Sequence, residues 1–374
     1  MPIASEEEIC DYAQALAWLS GEAAKVPPAE ASQPAHRFVM RVSAHPKEDA
    51  FVVGHVFRPA FEVLRRMSGG QIVVDEYWGE SAHPAKEGFA ALADGRTDLA
   101  ACYTQWEADA HPMSQLLALP YLFPSSEIGT AVSEALYPRY LRGEFERPGV
   151  LMGRLKATGP YHLFSRRKVS RLSDMEGLVV GTNSGVDSHI ATELGAQAVV
   201  LRSDQLLPAW ESGQIDAVSL ADGSADVFGI GVRSACRLEL GTSMMNLEFG
   251  LSESFYNRLP EHLQVVLNDW LRAQAQAETQ VFYGVGGAQA REKFAAAGCS
   301  FVTLGTEDRE TLRNRLDVLT DQLARDLDVQ GLPASAFVAD ARKASVELAG
   351  RSADDLMRDA LEHPRWLMPG TRPF

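Results

Sequence analysis

Apolar positions along the chain switch between two periods. Phe38 to Val42 alternates as a half-buried strand does, and His45-Pro46 breaks the alternation. Val52, Val53, Val56, Phe57, Ala60, Phe61 and Leu64 then recur at helical spacing until Gly69-Gly70. Ile72 to Tyr77 reads as a strand. Phe89, Ala90, Leu92 and Ala93 form one face of a short helix stopping at Gly95, and Leu99 to Tyr103 is a further strand. This β-α-β-α-β order predicts a mostly parallel sheet with helices on both faces. In such sheets ligands sit beyond the carboxyl ends of the strands.

The pattern then returns. Leu178-Val179-Val180 reads as a strand, Ser188 to Leu194 as a helix and Ala198 to Leu201 as a strand. Leu206 to Trp210 begins a helix that Gly213 ends, and Ile215 to Leu220 is a strand, so the chain reads as two related lobes. Beyond Pro260 it becomes helical: Leu263, Val266, Leu267, Trp270 and Leu271 keep a 3.6-residue period, as do Leu312, Leu316, Leu319 and Leu323. Long helices in that position would brace both lobes around a hinge. At the other end, Ser5 to Lys25 reads as an amphipathic helix with Ile9, Tyr12, Ala13, Leu16 and Leu19 on one side and a capping box of Ser5 with Glu8. Pro27, Pro28 and Pro34 mark a linker after it, and the whole segment reads as a packing appendage.

Composition narrows the function classes. The 374 residues suit two domains plus extensions. A net charge of -15 leaves no basic face to neutralise phosphates or anionic lipid, which argues against nucleic-acid and membrane-surface partners. The four cysteines, Cys10, Cys102, Cys236 and Cys299, form no CxxC pair and suggest no disulfide framework. No stretch reaches the roughly 18 apolar residues needed to span a bilayer. The start carries Glu6-Glu7-Glu8 where a secretory leader would carry a basic start and an apolar run, so either a leader has been removed or the protein is not exported.

Catalytic constellations are missing: there is no GxSxG, HExxH, GxxxxGK[ST], or GxGxxG opening a helix. Gly284-Val285-Gly286-Gly287 lies between helical stretches and is a weak phosphate-loop candidate. His45, His83 and His111 stand near expected strand ends, but each is followed by proline, and turn chemistry explains them as well as metal ligation does. The expectation is therefore a chain that is not an enzyme, with no metal and no cofactor.

The order of short segments resembles the DctP-like family of TRAP transporter solute-binding proteins from about Arg41 to about Leu348. The landmarks are Ser43-Ala44-His45, the helix end Ser68-Gly69-Gly70-Gln71, and Val73 to Trp78. Ala93 to Ala100, Leu119-Pro120-Tyr121-Leu122-Phe123, Asp174 to Leu178 and Leu194 to Val199 follow, and then Ala209 to Ala217 and Arg258 to Gln264. The resemblance implies a two-lobed, periplasmic-binding-protein-like (type II) α/β fold with hinge-crossing strands and long C-terminal bracing helices. Lobe 1 would comprise residues 37–158 and 246–285, lobe 2 residues 159–245 and 286–350. Residues 1–36 would be an N-terminal helix and linker and 351–374 a tail. It further implies capture of a small organic molecule between the lobes for a TRAP-type importer, whose membrane subunits would be the partner, in the periplasm. The alternative is a non-exported or sensory binding module of the same fold.

Two departures bear on the ligand. Where the family presents arginines that clamp a carboxylate, this chain has Gly181 and Tyr161. Neither copies a bidentate guanidinium, so neutral, aromatic or cationic ligands are expected over simple carboxylates, unless Arg41, Arg58 or Arg154 reaches the cleft from another direction. The cleft candidates are Ala44, His45, Asp49, Trp78, Tyr103, Trp106, Tyr161, Gly181, Thr182, Asn183, Ser203, Leu220 and Asp222, with Tyr77 nearby. Tyrosine and tryptophan supply flat apolar area with one polar tip, and a carboxylate beside them suits a cation. Thr182, Asn183 and Ser184 stand where a strand gives way to a helix and can cap that helix or bind ligand oxygens.

Overall fold

The computed structural model describes residues 12–22 and 36–363. Its elements run α1 (Ala13–Ser20), β1 (Phe38–Ser43), α2 (Arg58–Met67), β2 (Ile72–Tyr77), α3 (Gly88–Ala93), β3 (Leu99–Cys102), α4 (Ser126–Tyr140) and β4 (Val150–Ala157). Next come β5 (His162–Ser165), β6 (Val179–Thr182), α5 (Gly185–Glu193), β7 (Gln197–Val200), α6 (Ser203–Glu211), β8 (Ala217–Leu220), α7 (Asp222–Val227) and β9 (Cys236–Glu239). The chain closes with β10 (Asn246–Ser252), α8 (Glu253–Arg258), α9 (Glu261–Glu278), α10 (Gly286–Ala296), β11 (Ser300–Thr303), α11 (Thr306–Val329), α12 (Ala334–Leu348) and α13 (Ala353–Glu362). A π-helical turn, Val53–Phe57, leads into α2, and a second, Thr279–Val285, joins α9 to α10. Residues 261–296 are thereby one continuous helix.

Two sheets result, ordered β2-β1-β3-β10-β4 and β11-β9-β5-β8-β6-β7. β1, β2 and β3 are parallel, as are β6, β7 and β8, in agreement with the strand–helix alternation. Each sheet also holds one antiparallel strand that the alternation does not announce. β10 enters the first sheet between β3 and β4, and β5 enters the second between β8 and β9. Both strands arrive straight from the other sheet. The two crossing segments are stitched together: Thr158 N–H donates to Met245 O (2.7 Å), and Tyr161 N–H donates to Ser243 O (2.8 Å). These crossings, with the long helix, are the covalent connections of a two-lobed molecule.

Local chemistry explains the element ends. α2 buries Ala60, Phe61, Val63, Leu64 and Met67, and ends where Gly70 N–H closes back on Arg65 O with Gly69 and Gly70 at positive φ, a conformation that a Cβ would strain. Ser184 caps α5 by accepting from Asp187 N–H, as its position implied. Gly284 and Gly286 belong to the π turn and the start of α10 and do not form a loop. A Cβ at Gly284 would lie 2.4 Å from the Tyr12 ring, and one at Gly286 2.9 Å from Phe51, so these glycines permit close packing.

The first helix differs in phase from the expectation. The described part is Ala13–Ser20; Ile9, Ser5 and Glu8 lie outside the described residues. Its buried side is Ala15, Trp18 and Leu19, while Ala13 and Leu16 are exposed. The large indole of Trp18 sets the contact face, and α1 packs on α2, α9 and α13. Gln14 N–H donates to Asp354 Oδ1 (2.9 Å), joining it to the C-terminal helix, which Ser352 caps. α12 packs on α4, while α11 reaches α5 as well as α12.

Because Trp18 is fully buried in that junction, Trp18→Ala should destabilise the protein by about 3–5 kcal/mol. Urea denaturation measures this, and a loss below about 1 kcal/mol would show that α1 adds nothing to the fold.

Candidate functional site

The carboxyl ends of β1, β3, β6, β7 and β8, drawn from both sheets, meet at one cavity of about 80 Å³. β1 delivers Ala44 and His45, and β3 delivers Tyr103, with Gln105 and Trp106 just beyond it. From the other lobe β6 leads to Asn183, β7 to Ser203, and β8 ends in Leu220. The floor comes from the hinge: Thr158 and Tyr161 on one crossing segment, and Met245 on the other with Leu247 and Phe249 two and four residues on. Glu278, Phe282 and Tyr283 close it from the end of α9 and its π turn, together with Phe57 of the other π turn and Val52 just before that turn. A groove of about 540 Å³ shares Tyr103, Gln105 and Trp106 with the cavity and is lined further by Glu107 of the first lobe and Arg202 of the second. A larger groove of about 960 Å³, lined by Tyr121, Arg291, Arg313 and Arg342 among others, lies beside the crossing segments, and one strand end, that of β9 at Glu239, reaches it.

Eight of the thirteen candidate positions line the cavity: Ala44, His45, Tyr103, Trp106, Tyr161, Asn183, Ser203 and Leu220. Five do not. Asp49 is exposed on the loop before α2. Trp78 is buried against Phe57 and Phe61, its Nε1–H donating to Glu76 (2.8 Å), and Tyr77 donates its hydroxyl hydrogen bond to Asp75. Gly181 faces the interior of the second lobe, where a Cβ would meet Ile215 at 2.9 Å. Thr182 pairs with Ser188 (2.7 Å) inside the same lobe. Asp222 accepts both Arg237 bonds, at 2.6 and 2.9 Å, and lies near Arg291. Burial pushes its carboxyl up, but these cations with His162 outweigh that and hold it below the ordinary range. It is the anchor of a buried ion pair within the second lobe.

The histidines are dispersed. His45 Nδ1 meets the Tyr103 hydroxyl, His83 meets Ser43 (2.6 Å) and His111 meets Arg147 (2.6 Å). Among the described residues no three His, Cys, Asp or Glu side chains are grouped to hold a metal ion. Burial, with Lys156 nearby, lowers His45 to a pKa of about 4, so it is neutral at neutral pH.

Sequence reasoning left out two charged residues, Lys156 and Glu278, which stand beside Arg154, one of the three arginines it had considered. β4 carries Arg154 and Lys156, alternate positions of one strand, both buried against Glu278 at 2.5 and 3.0 Å. Gln274 Nε2–H also donates to Glu278 (3.0 Å). Burial lowers Lys156 to a pKa of about 8 against the pull of Glu278. Arg41 and Arg58 are engaged elsewhere, with Asp98 and with Glu48 and Glu76. The signal was present in Val150–Ala157, where two cations interrupt an otherwise apolar strand. It is also present in α9, where Glu278 ends a buried run of alanine and glutamine.

Residues 57–326 match the family model for bacterial extracellular solute-binding proteins, family 7. No curated protein matches the chain. Among solved structures, the chain is similar to a marine metagenome TRAP solute-binding protein specific for aromatic acid ligands, crystallised with 3-hydroxybenzoate. The identity is 15%, the match covers 84% of this chain and 100% of that one, and the TM-score is 0.78. A TRAP solute-binding protein from Rhodoferax ferrireducens with copurified benzoate shares 15% identity over 83% of this chain and 98% of that one, with a TM-score of 0.77. One from Bordetella bronchiseptica with bound (R)- and (S)-mandelate shares 18% identity over 83% and 99%, with a TM-score of 0.74. These likenesses establish the two-lobed fold.

Two buried carboxyls beside the cavity make stability depend on pH. Burial raises Asp187, which accepts from Ser219, to a pKa of about 7, and Glu248, which accepts from Thr104, to about 8. Unfolding returns both to about 4. The unfolded chain therefore binds fewer protons between about pH 4 and 8, and stability falls as pH rises through that window. Glu248→Gln keeps the acceptor for Thr104 and removes one titration. Urea melts at pH 5.5 and 8.5 should show the variant losing about 3 kcal/mol less than the wild type between the two conditions. Equal losses would mean that Glu248 does not titrate in this way.

Proposed function

The chain belongs to family 7 of the bacterial extracellular solute-binding proteins, and we propose that it captures a small organic molecule with an aromatic ring between its lobes and delivers it to the membrane subunits of a TRAP-type importer. One observation carries this reading: five strand ends from two separate sheets converge on a single buried cavity. A ligand there touches both lobes at once. Such contacts exist in full only when the lobes are closed, so binding favours closure, and the hydrogen-bonded crossing segments are the natural hinge.

The aromatic preference is supported by the walls. Phe57, Tyr103, Trp106, Phe249, Phe282 and Tyr283 offer flat apolar faces, with Tyr103 and Trp106 in ring contact at 4.3 Å between centroids. It is also supported by the 3-hydroxybenzoate, benzoate and mandelate held by the similar proteins. The contacting set in this reading is Ala44, His45, Tyr103, Trp106, Tyr161, Asn183, Ser203 and Leu220, joined by Gln105 and Phe249. Lobe 1 comprises residues 37–158 and 246–285, and lobe 2 comprises 159–245 with 286 onward through α11. Because α12 and α13 pack on α4 and α9, they are assigned to lobe 1. The reading places the protein in the periplasm, and among the described residues no helix is long and apolar enough to cross a membrane.

A thermal-shift screen of ring-bearing small molecules tests it. A ligand at about a hundred times its Kd adds about 2.7 kcal/mol to folding stability and raises the melting temperature accordingly. Trp106→Ala should weaken that ligand by about 2 kcal/mol, near thirtyfold, while the unliganded melting temperature stays close to wild type, because Trp106 is only half-buried. A screen in which no ring compound shifts the melting temperature, or an unchanged Kd in Trp106→Ala, would overturn the reading.

A further inference from the structure

We propose that the captured ring is uncharged and donates hydrogen bonds, as a primary carboxamide does, and that Gln105 and Asn183 are the specificity-determining residues that read it. This rests on the capture reading above and goes beyond it by fixing the ligand's charge and its polar group. No lysine or arginine lines the cavity, and its one carboxylate is Glu278. Burial pushes that carboxyl up, but Arg154 and Lys156 outweigh burial and hold it below the ordinary range, so a negative charge borders the cavity. The cations behind it are matched. Arg154 and Lys156 meet Glu278, and Arg272 meets Glu134 (3.1 Å) and Asp359 (3.8 Å), three positive charges against three negative. His45 is neutral at neutral pH. A carboxylate brought into this cavity would lose its water and meet a second carboxylate, with no surplus cation to offset either loss.

Hydrogen-bond accounting specifies the rest. Among the residues that line the cavity, three side-chain atoms are buried with no hydrogen-bond partner: Gln105 Oε1, Trp106 Nε1 and Asn183 Oδ1. Other polar tips there are engaged. The Tyr103 hydroxyl meets His45, that of Tyr161 donates to Met245 Sδ (3.1 Å), and Asn183 Nδ2–H donates to Ser203 Oγ (3.3 Å). A buried polar atom without a partner is costly, and a ligand that pairs it removes the cost. Two acceptors and one donor call for a ligand that donates twice and accepts once. A carboxylate only accepts and an ammonium only donates, whereas a primary carboxamide, with two N–H groups and one carbonyl oxygen, matches the count. Gln105 follows β3 of the first sheet and Asn183 follows β6 of the second, so a ligand that donates to both ties the lobes together. Gly181 and Tyr161, at positions where the family resemblance expects arginines, fit the same reading, since no guanidinium replaces them in the cavity wall.

Calorimetric titration of the full chain with benzamide, methyl benzoate, benzoate and benzylamine separates charge from hydrogen-bond donation on one ring. Benzamide should bind at least about tenfold tighter than each of the other three. Asn183→Leu removes one acceptor and Gln105→Met the other, and each should cut the preference for benzamide over methyl benzoate about fivefold. A merely structural role would weaken both probes alike. The wild-type series decides the matter even if neither variant folds. Benzoate, benzylamine or methyl benzoate binding as well as benzamide would overturn this inference and leave the capture reading intact. A preference that survives both variants would remove Gln105 and Asn183 from the role. If none of the four binds the wild type, the aromatic capture reading fails, and this inference with it.

Discussion

One buried carboxylate holds the parts of this molecule in relation to one another. Glu278 is the last residue of α9 and is bound by Arg154, Lys156 and Gln274. An ion pair so deeply buried is not in itself a source of stability, because desolvation offsets the attraction, yet removing one partner strands the other at a cost of about 3–5 kcal/mol. Its value is positional. It pins the bracing helix to β4 immediately before that strand leaves the first sheet, at the point where the helix enters its π turn. The extra residue of a π turn re-aims the side chains that follow it, and here Phe282 and Tyr283, 4.6 Å apart between ring centres, both reach the cavity. The cavity floor, the hinge strand and the helix that spans the lobes therefore share one electrostatic joint.

The sequence exposed the fold through repeated local rules. Period-two runs from Phe38 and Ile72, and the helical spacing from Val52 to Leu64, each depend on neighbours within a few residues, and the family-like segments fixed their order. The strand-end rule then found much of the site: His45, Tyr103 and Asn183 are placed by where β1, β3 and β6 stop. What the rule cannot see is direction. Gly181 and Thr182 lie at the end of β6 on opposite faces of the sheet, and both face the interior of their own lobe because Gly181 is packed under Leu206 and Thr182 under Ser188. Asp222 follows β8 as expected, but Arg237, fifteen residues later in sequence, claims it. Long-range pairing of this kind leaves no local trace.

Phase errors had the same origin. The first helix has apolar residues on more than one side, and only the partner helices decide that Trp18 faces inward and Leu16 outward. The antiparallel strands β5 and β10 went unannounced by the strand–helix alternation, and nothing in their composition says which sheet they join. Arg154 and Lys156 were visible as charges in an apolar strand, but their meaning depends on Glu278 more than a hundred residues away.

The borrowed strands also set the order in which the protein can be completed. The first sheet places β10 between β3 and β4, so its centre is missing until residues 246–252 have emerged. By then residues 159–245, with every strand of the second sheet except its edge strand β11, have been made. A chain synthesised from its N-terminus therefore finishes most of its second lobe before its first, and β4 waits as an unpaired edge in the meantime. Contacts between segments so far apart in sequence slow folding and lengthen the exposure of apolar strands. A nascent first lobe, severed or stalled before β10, is left with two open sheet edges and is the species from which aggregation should begin.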